Sequence, residues 1–190
     1  MHVIPLWMLL AGRFWEAAPA RQWSDEQLLE ILKDSPWAQL TSFRDGADLP
    51  VYLATAQPMR DAEAEYLRRS LLRRQAKPLA RSEYEIFLSE NEGKVIVLAV
   101  RNPNLLALAE DAEVKRMEEE SILKVGKKKL KMSGHFPPAE FDPVLRMVFP
   151  KPAEAVKELN FELYIPGVTG PYRQAVFKLK DLNYQGKPEM

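Results

Sequence analysis

The chain has 190 residues, of which 46% are apolar and 28% are charged, a composition typical of an ordinary globular protein of one domain. It contains no cysteine, which excludes disulfides, thiolate catalysis and cysteine-ligated zinc. Its 27 basic and 27 acidic side chains cancel, so no overall field draws it to nucleic acid or to an anionic membrane, and such a partner would need a local basic patch.

The first twenty residues allow two interpretations. An apolar run covers residues 3–12, which is far shorter than the roughly 20 residues of a membrane-spanning helix, and Ala18 and Ala20 are small residues at the two positions that signal peptidase reads. No Lys or Arg precedes the run, whereas signal peptides carry positive charge there. We predict either a signal peptide over 1–20, with secreted or periplasmic localisation, or an N-terminal arm of a cytoplasmic protein, packed on the domain through Trp7, Phe14 and Trp15. Residues 21–190 are predicted to form a single α+β domain.

Two tryptophans, Trp23 and Trp37, bracket a short predicted helix. Ser24 at its start and Gln27 three residues later form the capping-box pattern, and Trp23 before the cap is placed to pack on the first turn. Pro36 disfavours helical dihedral angles in the residue before it, so the helix should end near residue 34. Capping and packing account for this order of residues without any ligand, and we expect both indoles to be buried.

The next predicted elements are a strand, two helices and a second strand. The first strand covers residues 49–56. Pro58 begins a helix with an apolar face that runs to about residue 75, and Ser82 with Glu85 repeats the capping-box pattern before a short helix. Residues 95–100 are uninterruptedly apolar and rich in valine, which is typical of a central strand covered on both faces.

The rest of the chain is predicted to consist mostly of strands. One helix or two short ones should occupy residues 105–119, followed by a hairpin over 122–125 and 128–132 that turns at Gly126. Further strands are predicted over 144–149, 159–165 and 172–179. The order favours an α+β fold with helices in the first half around a short ferredoxin-like β-α-β unit, extended by a C-terminal antiparallel sheet.

Five lysines within eight positions form the strongest local charge feature. They could hold an anionic ligand, or they could protect an exposed edge strand against pairing with another chain. No aromatic residue lies among them to stack on a single-stranded nucleic acid. The candidate anion-binding residues are Lys124, Lys127, Lys128, Lys129 and Lys131.

No other pattern predicts a catalytic residue, a metal ligand or a cofactor. Ser133 and His135 lie close in sequence but lack a nucleophile-elbow motif, and we interpret His135 as a partly exposed loop residue. The glycines at 167 and 170 stand between two predicted strands and indicate a turn, not a phosphate-binding loop. Acidic pairs such as those at 111 with 113 and within 118–120 could in principle do acid-base work, but such catalysis needs two carboxyl groups in opposed environments, which sequence spacing does not show.

Several motifs together resemble an uncharacterised family of predicted exported bacterial proteins. They are the Trp23-Ser24 helix start with its Asp-Ser-Pro-Trp-Ala ending at 34–38, Pro-Met-Arg-Asp-Ala at 58–62, Phe-Pro-Lys at 149–151 and the ending over 177–189. The resemblance covers most of residues 22–190 and implies export. It implies no activity, cofactor or site residue, because none is established for that family.

Three functions are hypothesised from this sequence. The first is a non-catalytic exported or envelope-associated domain that binds another protein or a cell-surface component, and it rests on the leader and on the lack of a catalytic pattern. The second is a carboxylate-dependent hydrolase whose acid and base are distant in sequence. The third is a cytosolic module that binds nucleic acid through the lysines, a partner disfavoured by the neutral overall charge.

Overall fold

The computed structural model describes residues 13–43, 46–77, 80–101 and 103–190. The predicted apolar run over 3–12, including Trp7, lies outside them. The helices are α1 (Phe14–Ala17), α2 (Asp25–Ile31), α3 (Gln57–Arg73), α4 (Glu83–Glu90) and α5 (Asp111–Glu120), with short 3-10 turns at Ala20–Gln22, Ala107–Ala109 and Leu179–Asp181. The strands are β1 (Ala38–Phe43), β2 (Gly46–Leu53), β3 (Val95–Arg101), β4 (Ile122–Val125), β5 (Lys128–Lys131), β6 (Gly134–Phe136), β7 (Val144–Pro150), β8 (Glu158–Tyr164), β9 (Tyr172–Lys178), β10 (Asn183–Tyr184) and β11 (Lys187–Pro188).

The strands form two larger antiparallel sheets and one small hairpin. The order is β1-β2-β3-β7-β6 in the five-stranded sheet and β5-β4-β8-β9 in the four-stranded sheet, while β10 pairs with β11. This confirms an α+β fold with helices mostly in the first half. The ferredoxin-like β-α-β unit is not shown: β2 and β3 pair directly and antiparallel. In a β-α-β unit, one helix crosses over the sheet and the second strand runs parallel to the first. Here two helices, α3 and α4, connect β2 to β3, and the two strands run in opposite directions.

The two larger sheets and the helices pack as three layers. Phe161 of β8 lies between Phe149 of β7 and Phe177 of β9, with ring centroids 5.1 and 6.0 Å away, so these residues join the two sheets. On the opposite face of the five-stranded sheet, Tyr52 donates a hydrogen bond to Glu63 of α3. The five-stranded sheet is therefore the middle layer, between α3 and α4 on one face and the four-stranded sheet on the other, whereas α5 contacts β8 of the four-stranded sheet.

The helix starts follow the local sequence. Ser24 and Gln27 form the predicted capping box at α2, and Ser82 and Glu85 form the one at α4. Pro58 lies in the first turn of α3, where its missing N–H costs no hydrogen bond. Helix α2 ends at Ile31, about one turn earlier than predicted. No helix among the described residues is long and apolar enough to cross a membrane.

Both tryptophans of the first motif are buried, as predicted. Trp23 donates its indole N–H to the carbonyl of Ala18, and Trp37 donates its own to the carbonyl of Glu189, 152 positions away, at 3.0 Å. Tyr184 of β10 packs edge-on against Trp37. The two motifs at opposite ends of the sequence therefore meet in the fold and close the domain.

Candidate functional site

The five candidate lysines lie on the β4–β5 hairpin, and β5 is an edge strand of the four-stranded sheet. Two of them form ion pairs, Lys124 with Glu162 and Lys128 with Glu154. The other three are Lys127, Lys129 and Lys131, which are exposed and form no salt bridge within the described part of the chain. Because neighbouring residues of a strand point to opposite faces, Lys128 and Lys129 diverge. The lysines therefore line an edge and do not converge on a pocket.

Ser133 and His135 do not form a catalytic pair. The Ser133 hydroxyl donates to the carbonyl of Val148, and the His135 Nδ1 atom lies 3.0 Å from a Glu118 oxygen. His135 is partly buried, as predicted, but it belongs to strand β6 and not to a loop. Pairing of β6 with β7 fixes this segment, and its three residues are too few to give a strand pattern in the sequence.

Acidic side chains of α5 form hydrogen bonds with tyrosines of the four-stranded sheet. Glu113 accepts a hydrogen bond from the Tyr164 hydroxyl at 2.7 Å, and Glu120 binds Arg116 and the Tyr172 hydroxyl. The hydrogen bond from Tyr172, followed in size of effect by the one from Arg116, lowers the pKa of Glu120 below its ordinary value. A general acid needs a carboxyl group whose pKa is raised. All resolved shifts of carboxyl pKa in the described chain are downward, at Asp25, Glu65, Glu120 and Glu154.

A buried charged cluster lies between the five-stranded sheet and the helices. The Arg146 side chain of β7 is 6% exposed, and it donates to Asp142 at 2.6 Å and to Glu63 at 2.9 Å. Its guanidinium carbon lies 4.2 Å from the centre of the Tyr84 ring. Burial alone would lower the pKa of Arg146, but the two carboxylates raise it above its ordinary value. Burial, followed by the charge of Glu63, raises the pKa of Tyr52.

Sequence reasoning missed this cluster, although Arg146 is the only charged residue in the otherwise apolar strand β7. The adjoining cavity has a volume of about 20 Å³, which is room for about one water molecule. Arg146 binds Glu63 and Asp142 together, so this arrangement supports packing between α3 and β7 and offers no space for a larger ligand.

An open cleft of about 330 Å³ lies where β1 meets β9. The Gln39 side chain spans the two strand edges by donating to the carbonyl of Val176 at 2.9 Å and accepting from its N–H at 3.4 Å. Both sequence motifs contribute to the lining, which consists of Asp34, Ser35, Pro36, Ala38, Gln39, Val176, Phe177, Lys178 and Asp181. The volume lies within the range of small-molecule sites, and the charged side chains suit a polar ligand.

A second surface feature is the turn formed by residues 104–107, called here the leucine turn. Leu105 is 60% exposed and Leu106 is 82% exposed. Asn104 fixes the turn, because its side-chain oxygen accepts from the N–H groups of Leu106 and Ala107 and its amide nitrogen donates to the carbonyl of Gly167 at 3.0 Å. Two adjacent leucines therefore face solvent on a backbone that is held in place.

The loop that follows β8 supports the leucine turn. Gly167 has a φ of +69°, and an added Cβ there would lie 2.5 Å from the Cβ of Ala107, so only glycine fits. The loop leads into Tyr172, whose ring is largely exposed while its hydroxyl binds Arg116. Sequence reasoning identified the Gly167 turn but not its contact with the leucine turn, because 63 positions separate Asn104 from Gly167.

Comparisons with protein-family models, with curated proteins and with solved structures found no match.

Proposed function

We propose that this chain is a non-catalytic exported or envelope-associated domain that binds another protein through the leucine turn. The observation that carries the proposal is the pair of exposed leucines on a fixed backbone. Single exposed leucines are common on protein surfaces, but two in succession on a turn are unusual because each leaves apolar area in water.

The leucine turn has the energetic properties of a binding anchor. Burying one leucine against a partner contributes about 1.5–3 kcal/mol, so Leu105 and Leu106 together supply a substantial part of the affinity of a moderate complex. The hydrogen bonds of Asn104 hold the backbone of the turn before binding, which reduces the entropy lost on association. Tyr172, at the end of the loop that contains Gly167, provides an exposed aromatic side chain, a residue type enriched at such interfaces.

A photo-crosslinking experiment in the native host tests this proposal. A photoreactive residue replaces Leu106 in the full chain, and the matched control carries the same residue at Leu72 of α3, which is 61% exposed. We expect a crosslink to one defined protein from position 106 and none to that protein from position 72. Equal crosslinking from both positions, or none from 106, would contradict the proposal.

The cleft between β1 and β9 favours a second candidate ligand, a polar cell-surface component. Asp34, Asp181 and Lys178 are exposed around a volume large enough for a sugar-sized group. The test is cosedimentation of the full chain with isolated envelope fragments of the native host. We expect the double variant Asp34→Asn/Asp181→Asn to lose cosedimentation and Leu106→Ser to retain it. The opposite pattern would assign envelope binding to the leucine turn.

A further inference from the structure

Residues 13–20, called here the arm, pack into the aromatic core of the domain. Trp15 is 7% exposed, and its ring lies edge-on to Trp37 at 6.0 Å between centroids. Phe14 packs edge-on to Trp23 at 5.4 Å. The two tryptophans of the first motif are thus each covered by an aromatic ring from the arm.

Polar contacts hold the end of the arm as well. The Trp23 indole donates to the carbonyl of Ala18 at 2.8 Å, and the N–H groups of Gln22 and Trp23 donate to the carbonyls of Pro19 and Ala20. Arg69 of α3 donates to the carbonyl of Arg21 at 3.3 Å and to that of Trp23 at 2.7 Å. The bond between Ala20 and Arg21, where the sequence predicts the signal-peptidase cut, therefore lies inside a hydrogen-bonded turn.

We infer that the arm belongs to the mature folded domain and that any processing cut lies before Phe14. The domain then begins at or before Arg13 instead of at residue 21. A processing cut is expected only if the protein is exported as proposed, whereas the arm packs on the domain in either case.

The physical reason is the cost of removing the arm. A cut after Ala20 would take away the Phe14 and Trp15 rings, leaving apolar area on Trp23 and Trp37 facing water. It would also remove the carbonyl of Ala18, the acceptor of the buried Trp23 N–H. Losing a buried tryptophan from a core is among the most destabilising changes that a protein can undergo.

The first test is the N-terminal mass of the full-length gene product recovered from its native host, with its compartment recorded. We expect a chain that retains residues 14–20. A stably folded chain that starts at Arg21 would overturn the inference, even if the protein is exported. A chain found in the cytosol with the arm retained would contradict the proposed export and leave the inference standing.

The second test uses limited trypsin digestion of the purified full chain. We expect cleavage after Arg21 to be slow in the native protein and to accelerate about 100-fold in Trp15→Ala, because the substitution favours opening of the arm. Glu16→Ala, which changes an exposed neighbour, is the matched control and should leave the rate unchanged. Cleavage after Lys127, in the exposed β4–β5 turn, should be equal in all three proteins. Rapid cleavage after Arg21 in the native chain would show that the arm is not held.

Discussion

The two larger sheets differ in how many of their faces are covered, and their sequences differ accordingly. The five-stranded sheet lies between helices and the second sheet, and its strands β3 and β7 are buried at nearly every position. The four-stranded sheet packs one face on the five-stranded sheet, and α5 covers the other face in part, at Tyr164 and Tyr172. Its strands β4 and β9 alternate between buried and more exposed residues. A strand covered on both faces reads as a continuous apolar run, and a strand with one face in water reads as an alternation.

The same difference governs the charged residues of each sheet. Arg146 projects from the five-stranded sheet toward the helices and needs the carboxylates of Glu63 and Asp142 as partners. Lys124 and Glu162 pair on the solvent-facing side of the four-stranded sheet, where water solvates both groups. The buried pairs should therefore be essential to stability and the exposed pair nearly neutral.

The largest expected effect is at the interface that the two sheets share. Phe161→Ala should lower the free energy of unfolding by about 3–5 kcal/mol, because it leaves a cavity between Phe149 and Phe177. Urea titration followed by tryptophan fluorescence measures this change. Val176→Ala, on the opposite face of the same sheet, is the matched control and should cost no more than about 1 kcal/mol. Equal losses would contradict the distinction between the two faces.

The next effect is at the buried charge of the five-stranded sheet. Arg146→Met should cost about 3 kcal/mol in the same titration, because Glu63 would remain buried without its cation. Adding Glu63→Gln should restore part of the lost stability, since the unpaired carboxylate disappears. A double variant as unstable as the sum of the two single variants would show that the charges do not interact.

Glu65 in the helix layer gives a smaller, pH-dependent effect. Two hydrogen bonds from Arg68, with a further one from Arg69, lower the pKa of this nearly buried carboxyl group to about 2 against the opposing effect of burial. Because the pKa in the folded state is depressed, the stabilisation is complete above about pH 5 and is lost as the pH falls toward 2. Glu65→Gln should cost about 2 kcal/mol at pH 7 and little near pH 2.

Urea midpoints between pH 7 and pH 2 measure this dependence. The exposed Glu92→Gln is the control, and its stability should follow that of the unmodified chain across the range. If Glu65→Gln also ran parallel to the unmodified chain, the ion pairs with Arg68 and Arg69 would not stabilise the helix layer.

The smallest effect is expected at the exposed pair of the four-stranded sheet. Lys124→Gln should change the free energy of unfolding by less than about 1 kcal/mol, and the difference should shrink in 1 M salt. Urea titration at low and high salt measures both values. A loss as large as that of Arg146→Met would mean that this sheet face is covered in solution.

Local sequence was enough to predict most elements. The capping boxes at Ser24 and Ser82, the proline start of α3 and the hairpin turn at Gly126 all depend on residues within a few positions of one another. The continuous apolar run of β3 was enough to predict a central strand. Strands β1, β6, β10 and β11 were not predicted, because they are short or mixed in composition and form only against partners supplied by the fold.

The candidate sites were predicted less well for the same reason. The lysines of the β4–β5 hairpin were visible in the sequence, whereas the leucine turn depends on the contact of Asn104 with Gly167, and the cleft needs β1 beside β9. The partners of Arg146 come from α3 and from the segment before β7. No local pattern in the sequence specifies such pairs.

The sequence by itself determined where α2, α3 and α4 begin, that β3 is a buried strand and that Trp23 and Trp37 belong to the core, because capping, proline geometry and apolar periodicity are local. Tertiary structure alone decided the antiparallel pairing of β2 with β3, the contacts of Phe14 with Trp23 and of Trp15 with Trp37, and the meeting of the two motifs at the hydrogen bond from Trp37 to Glu189. These features are set by contacts between distant segments, where the free energy of burying apolar area and satisfying buried polar groups selects the partner.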